Sequence, residues 1–202
     1  MEERQATTVL PEGGLPQWDA TQTRILDAAD DLIVRRGVHG VTIAELARRA
    51  GHSRPTIYRN WTDADDVVRS ALLRRVAAIV AEFPEPSHSR GELVDDVLRF
   101  SALFRSDAVY GRLLDEEPEA FTRYTLQRVG SSQRLILSWL AGAISTAQEH
   151  GDVRRDAPKE MAVMLMLVAQ SAVLSHGTVS DLVSESAWER ELRAALDGLL
   201  RA

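Results

Sequence analysis

Arg54, Thr56, Tyr58 and Arg59 crowd one short segment, SRPTIYRNW, spanning residues 53–61. Two guanidinium forks, a hydroxyl and a phenol are the groups that hydrogen-bond phosphate oxygens and base edges of nucleic acid. They can do so only if a helix holds them outward. Ser53 is placed to cap such a helix, and Pro55 is tolerated in its first turn, where a missing N–H costs nothing. The helix is short, so Ile57 is its main inward anchor.

The preceding stretch, TIAELARRAG (42–51), supplies the support. Thr42 with Glu45 three places on is the signature of a capping box. Ile43, Leu46, Ala47 and Ala50 then share one face at helical spacing, while Arg48 and Arg49 turn away. Gly51 stops this helix and can take the left-handed backbone of a tight turn, and the small Ala47 lets two helices approach closely. Three positions with three steric tasks in this order predict a helix-turn-helix.

With a first helix ending at Gly37, the two segments above and a fourth helix opening just after Trp61, the chain resembles the TetR family of transcriptional regulators. The resemblance implies a homodimer on a palindromic double-stranded DNA operator, with an effector pocket in a larger C-terminal domain. Matched position by position, it gives Arg54 and Arg59 phosphates or guanine edges, Thr56 and Tyr58 phosphates or thymine methyls, and Pro55 apolar contact with bases. Thr42 and Ser53 cap their helices at the same surface, and Thr42 also donates to phosphate. Two positions depart from the family. Ala64 stands where a phosphate-touching lysine is common, and His52 occupies the turn where an aliphatic residue is usual; a partly buried structural role is expected for it.

Composition sets the frame. The chain has 202 residues, 45% of them hydrophobic, enough for one or two units with a real core. Its net charge of −6 is unevenly spread. Between Ala20 and Thr62 seven arginines face four carboxylates, so a head of charge +3 sits on an acidic body. Cysteine is absent and the first residues lack a hydrophobic segment, which suits a cytoplasmic protein. The most apolar run, Met161 to Leu174, reads as too short to cross a membrane, and no membrane partner is expected. Phosphate-binding loops, HExxH, Gly-x-Ser-x-Gly and paired metal-ligand spacings do not occur, so neither an enzyme nor a metal or cofactor site is expected. A helical adaptor or ligand-binding protein without DNA binding is the competing reading; the arginines at 54 and 59 weigh against it, Ala64 and the net charge for it.

The expected architecture is all-α: a flexible tail over 1–18, a three-helix helix-turn-helix DNA-binding domain over 19–66, and a helical-bundle domain for effector binding and dimerisation over 67–202. A first helix spans Thr21 to Arg36, with Trp18 packed beside it. The fourth runs from Thr62 to Phe83, where Pro84 and Pro86 stop it. Helices follow over Arg90 to Arg105 and Asp107 to Asp115, then one long helical stretch from Pro118 to His150. An effector pocket for a small apolar or aromatic molecule draws on Phe100, Phe104, Tyr110, Tyr124, Trp139, Met161, Met164 and Gln170. The next helix is apolar nearly all round, and the last, Ser186 to Leu200, carries a single stripe. A greasy helix must be covered on every side, so Leu167, Leu174, Trp188, Leu192, Ala195, Leu196 and Leu199 are expected to meet their copies in a second subunit.

Overall fold

Asp19 opens the first helix, α1 (Ala20–Arg36), by exchanging side-chain bonds with Gln22, whose backbone N–H reaches Asp19 Oδ1 at 2.8 Å. The computed structural model describes residues 15–125 and 129–201, and most of the expected tail lies outside them. After α1 come a short 3-10 turn (Val38–Gly40), α2 (Ile43–Ala50), α3 (Arg54–Tyr58), α4 (Ala64–Val80), α5 (Arg90–Ser106), α6 (Ala108–Glu116) and α7 (Pro118–Thr125). Then follow α8 (Ser131–Glu149), α9 (Pro158–Val179) and α10 (Glu185–Leu200). The fold is all-α, as the periodicity requires.

The head is built on α1. Ile25, Leu26, Leu32 and Ile33 are fully enclosed, and Trp18 packs half-buried at the edge of the same core. Removing side chains of this size from water stabilises the fold by roughly 1.5–3 kcal/mol each before chain entropy is counted. Helix α4 presents Val67, Val68, Ala71, Leu72 and Val76, all buried, and its side chains belong to one continuous cluster with both α1 and the aromatic residues of α5 and α6. The expected division at residue 66 therefore falls in the first turn of a helix that serves both halves.

Ion pairs reinforce that join. Arg74 on α4 donates to Asp27 at 2.8 Å and Asp30 at 2.7 Å on α1, and its neighbour Arg75 binds Asp107, the cap of α6. Burial pushes the Asp30 carboxyl upward from its usual range, although Arg74 pulls it back. At the other end of α1, Gly37 adopts φ 73°, and Val38 N–H donates to Glu117 Oε2 at 3.1 Å. A Cβ at Gly37 would collide with the Glu117 carboxylate, so glycine serves both the backbone angle and the approach.

Two boundaries differ from the sequence reading. The stretch expected to be one helix from Pro118 to His150 is two, because Gly130 is extended (ψ −176°) and its N–H is held by Gln133 Oε1 at 2.9 Å. An extended glycine caps a new helix and cannot continue an old one. The apolar run also proves longer than expected: α9 has 22 residues, and its length and mean hydropathy of 1.6 would by themselves allow a membrane crossing. Of its residues, Met161, Ala162, Leu165 and Val173 are buried in this chain.

Helix α10 lays Leu192, Leu196 and Leu200 inward within this chain, and Arg90 fastens its end through Asp197 at 2.7 Å. Its start is fixed by Glu185, which accepts from Arg105 at 2.8 Å and pairs with His176 at 2.6 Å. Arg105 first and His176 second hold the Glu185 carboxyl below its ordinary range. A carboxyl lowered by folding adds stability above its unfolded value and loses it as pH falls through the folded one. Wild type should therefore exceed Glu185→Gln in Tm at neutral pH by less than about 1 kcal/mol equivalent, and the gap should close on acidification below pH ~4. Melting both proteins across that range checks it; a gap independent of pH would exclude the ionic contribution.

Candidate nucleic-acid interface and effector cavity

Thr42 Oγ1 accepts the Glu45 N–H at 3.2 Å, as a helix cap should. The reciprocal half of the expected capping box is not made. Glu45 turns to Arg48, taking its Nε and Nη2 at 3.2 and 2.7 Å, and this bond holds its carboxyl below the usual range. A charged partner within one turn outcompetes a backbone N–H that water can reach. Gly51 sits at φ 67°, ψ 29°, the left-handed conformation the turn demands. Ser53 then caps α3 through Thr56 N–H at 3.3 Å, and the two hydroxyls lie 2.9 Å apart.

The inward side of α3 is closed by Ile57, enclosed against a fully buried Leu46, and by Trp61, whose Nε1 donates to Ser70 Oγ at 2.8 Å. That bond ties the end of the recognition segment to α4. The outward side is open: Thr42, Ser53, Arg54, Pro55, Tyr58 and Arg59 are exposed, and Thr56 is half-buried. His52 is half-buried in the turn.

Charge pairing sharpens the picture. Arg35 and Arg49 both pair with Asp31, and Arg36 and Arg48 both with Glu45. Asp27 and Asp30 are held by Arg74 of α4. Among the described residues of the head, Arg24, Arg54 and Arg59 remain without a carboxylate. Two of these three free guanidiniums stand on α3 or its cap. Arg24 was not singled out from sequence; only the pairing pattern distinguishes it from its neighbours.

In the body, a cavity of about 70 Å³ lies among α4, α5, α6, α7, α8 and α9. Five of the eight residues expected at a pocket line it: Phe100, Phe104, Tyr110, Trp139 and Gln170. The rings of Phe104 and Tyr110 stack with centroids 4.0 Å apart, and those of Phe100 and Trp139 at 5.2 Å. Tyr110 donates its hydroxyl to the Leu72 carbonyl of α4 at 2.9 Å, and burial pushes its phenol well above the ordinary value. The other three lie elsewhere. Tyr124 donates to Asp65 at 2.6 Å, Met161 is buried in a second cluster beneath α10, and Met164 is half exposed on the surface of α9. Ser132, Gln133, Ile136 and Met166 also line the cavity and were not anticipated. The first two belong to the start of α8, which the sequence reading had merged into a longer helix.

The seven residues expected between subunits also divide. Leu192 and Leu196 are consumed inside the chain, against α5 and α9, because the stripe of α10 points to its own core. They are not free to meet a second copy. Trp188 is half-buried under Arg105, 4.9 Å from its ring, while Leu174 and Leu199 pack at the margins of the two cores. Leu167 and Ala195 face outward, and Leu167 stands beside exposed Val163 and Met164 on α9.

Known proteins agree with this geometry. Residues 25–71 match the family model for bacterial regulatory proteins of the tetR family. An HTH-type transcriptional regulator of Mycobacterium bovis is 36% identical over 180 residues, covering 89% of this chain and 94% of the relative. UidR of Escherichia coli, another HTH-type transcriptional regulator, is 24% identical over 185 residues, covering 90% and 94%. Among solved structures, a TetR-family regulator from Rhodococcus sp. superposes with TM-score 0.58 at 20% identity, covering 89% of this chain and 98% of its own. FadR of Bacillus subtilis, solved with stearoyl-CoA, gives 0.57 at 15% identity, covering 88% and 97%. A helix-turn-helix with its arginines turned outward, and kinship of this extent along nearly the whole chain, mean that the protein belongs to the TetR family of transcriptional regulators, which are not enzymes.

Proposed function

We propose that the protein is a cytoplasmic homodimeric repressor that binds a palindromic operator and leaves it when a small apolar or aromatic effector enters the cavity. The observation that carries the reading is the pair of exposed guanidiniums without a partner among the described residues, Arg54 in α3 and Arg59 at its C-cap, on a helix locked from behind by Ile57 and Trp61. Contacts to DNA are given to Thr42, Ser53, Arg54, Pro55, Thr56, Tyr58 and Arg59. The 36% identical relatives are named as HTH-type transcriptional regulators, which supports DNA binding over a helical adaptor without it. The acyl-CoA of the FadR complex is not carried over, since at 15% identity only the fold is shared.

Dimerisation supplies the symmetry. Val163, Met164 and Leu167 leave an uncovered apolar strip on α9, and the neighbouring outward side of α10 offers small residues such as Ala194, Ala195 and Gly198. Two such pairs form a four-helix contact about a twofold axis. It must set the recognition helices about 34–36 Å apart to reach successive major grooves on one face of DNA.

Effector control needs a wall shared by cavity and head, and α4 with α6 supplies it. Tyr110 touches the cavity and grips the Leu72 carbonyl, while Asp107, which caps α6, binds Arg75. An occupant that displaces Tyr110 moves α4, and with it the ion pairs from Arg74 to α1. Such a ligand acts only by binding the two arrangements unequally. Tyr110→Phe should lose about 1 kcal/mol of stability and reduce the effector-induced drop in operator affinity, with effector affinity itself little changed. Unaltered release by this variant would remove the bond from the coupling.

The reading as a whole is tested by selecting bound fragments from random duplex DNA. Recovery of an inverted repeat supports it; a dimeric, folded protein that enriches no sequence at low ionic strength defeats it.

A further inference from the structure

The cavity wall carries no formal charge. Its members with polar side-chain atoms are Ser101, Tyr110, Ser132, Gln133, Trp139 and Gln170. Ser101 donates to the Val97 carbonyl at 2.8 Å, Tyr110 to that of Leu72 at 2.9 Å, Gln133 accepts from Gly130 N–H, and Ser132 is engaged with Tyr110. Among the described residues the Gln170 amide and the Trp139 indole N–H have no such partner, and of the two only the amide can also accept. Burying an ion without a countercharge costs far more than packing against apolar walls can offset, so neither a carboxylate nor an ammonium suits this space. An amide without a partner, by contrast, offers both a donor and an acceptor to a neutral polar group.

Size narrows the occupant further. The open space of about 70 Å³ is roughly half the ~150 Å³ of a dry engineered cavity that accepts benzene. Even one ring must push the walls apart, and a long chain or a polycycle would have to dismantle the Phe104–Tyr110 and Phe100–Trp139 stacks. Flat faces spaced as these are accept another ring in preference to a branched aliphatic body.

We infer that the cavity takes an uncharged, single-ring molecule bearing one hydrogen-bonding group that meets Gln170. The inference rests on reading the cavity as the effector site, and it adds the charge, size and polar anchor of the ligand.

The test titrates the full-length protein, without DNA, with p-ethylphenol, p-ethylbenzoate and ethylbenzene, following the indole N–H resonance of Trp139 assigned through Trp139→Phe. The expected result is a shift with p-ethylphenol and at least about tenfold weaker binding of p-ethylbenzoate. Gln170→Leu, or Gln170→Met if the first does not fold, should weaken p-ethylphenol about fivefold or more while leaving ethylbenzene unchanged. Equal or tighter binding of the benzoate, no response to p-ethylphenol up to millimolar concentration, or indifference to both Gln170 variants would each overturn the inference. Release of the selected operator is measured separately: the expected selectivity without any release keeps the ligand class and defeats the effector role proposed above.

Discussion

Leu167→Asp should turn the protein into a folded monomer and cut its affinity for a palindromic operator by at least about 100-fold, because joining two binding units commonly multiplies affinity by roughly 10²–10⁴. Leu167 is 47% exposed within one chain, beside Val163 at 39% and Met164 at 50%, so the substitution leaves the chain's own core intact. If a dimer closes over α9, the substitution would bury a carboxylate there without a countercharge. Sedimentation and a melting curve separate the outcomes. A monomer with a thermal transition near that of wild type places the interface on α9, whereas a dimer that survives the change removes α9 from it. The lone half-site should still be bound weakly, with salt dependence reduced to that of one head.

How much of this was legible in the sequence depends on what kind of signal each element carries. The helix-turn-helix could be read almost residue by residue, since Thr42, Gly51, Ser53 and Ile57 do local jobs that fix themselves within a few positions, and each does that job here. The break at Gly130 was missed because a glycine followed by serines and preceded by helix formers looks like a tolerated interruption until its N–H is seen held by Gln133. Direction was the other blind spot. The stripe on α10 showed that Leu192 and Leu196 face something apolar, but not whether it belongs to α5 and α9 of the same chain or to another subunit. Pocket residues suffered likewise: Met161 and Met164 sit three apart on α9, yet one is buried and the other at the surface, neither on the cavity. Local chemistry is encoded in spacing, whereas the choice of neighbour is made by tertiary packing.

The second large effect is expected at α3. Arg59→Ala should weaken binding to the selected operator by about 1–3 kcal/mol and relax preference at one base pair in each half-site if its guanidinium spans a guanine edge. If it neutralises a phosphate instead, affinity should fall by a similar factor on every sequence, and the slope of log affinity against log salt should flatten by roughly one unit for each phosphate left unneutralised. The two outcomes are separable in one experiment, a salt titration on cognate and scrambled duplexes. Arg54→Ala is read in the same way, and since Arg54 lies in the first turn of α3 while Arg59 follows its last residue, the two variants sample both ends of the presented surface. Neither arginine has a partner to lose among the described residues, so both variants should melt within about 0.5 kcal/mol of wild type, and any loss of binding belongs to the interface rather than to the fold. Ala64 sharpens the expectation. With alanine where the family resemblance puts a lysine at the start of α4, these two side chains are expected to carry a larger share of the total, and the double variant should bind the operator no better than scrambled duplex. Retention of sequence-selective binding by the double variant would show that the protein meets DNA through another surface.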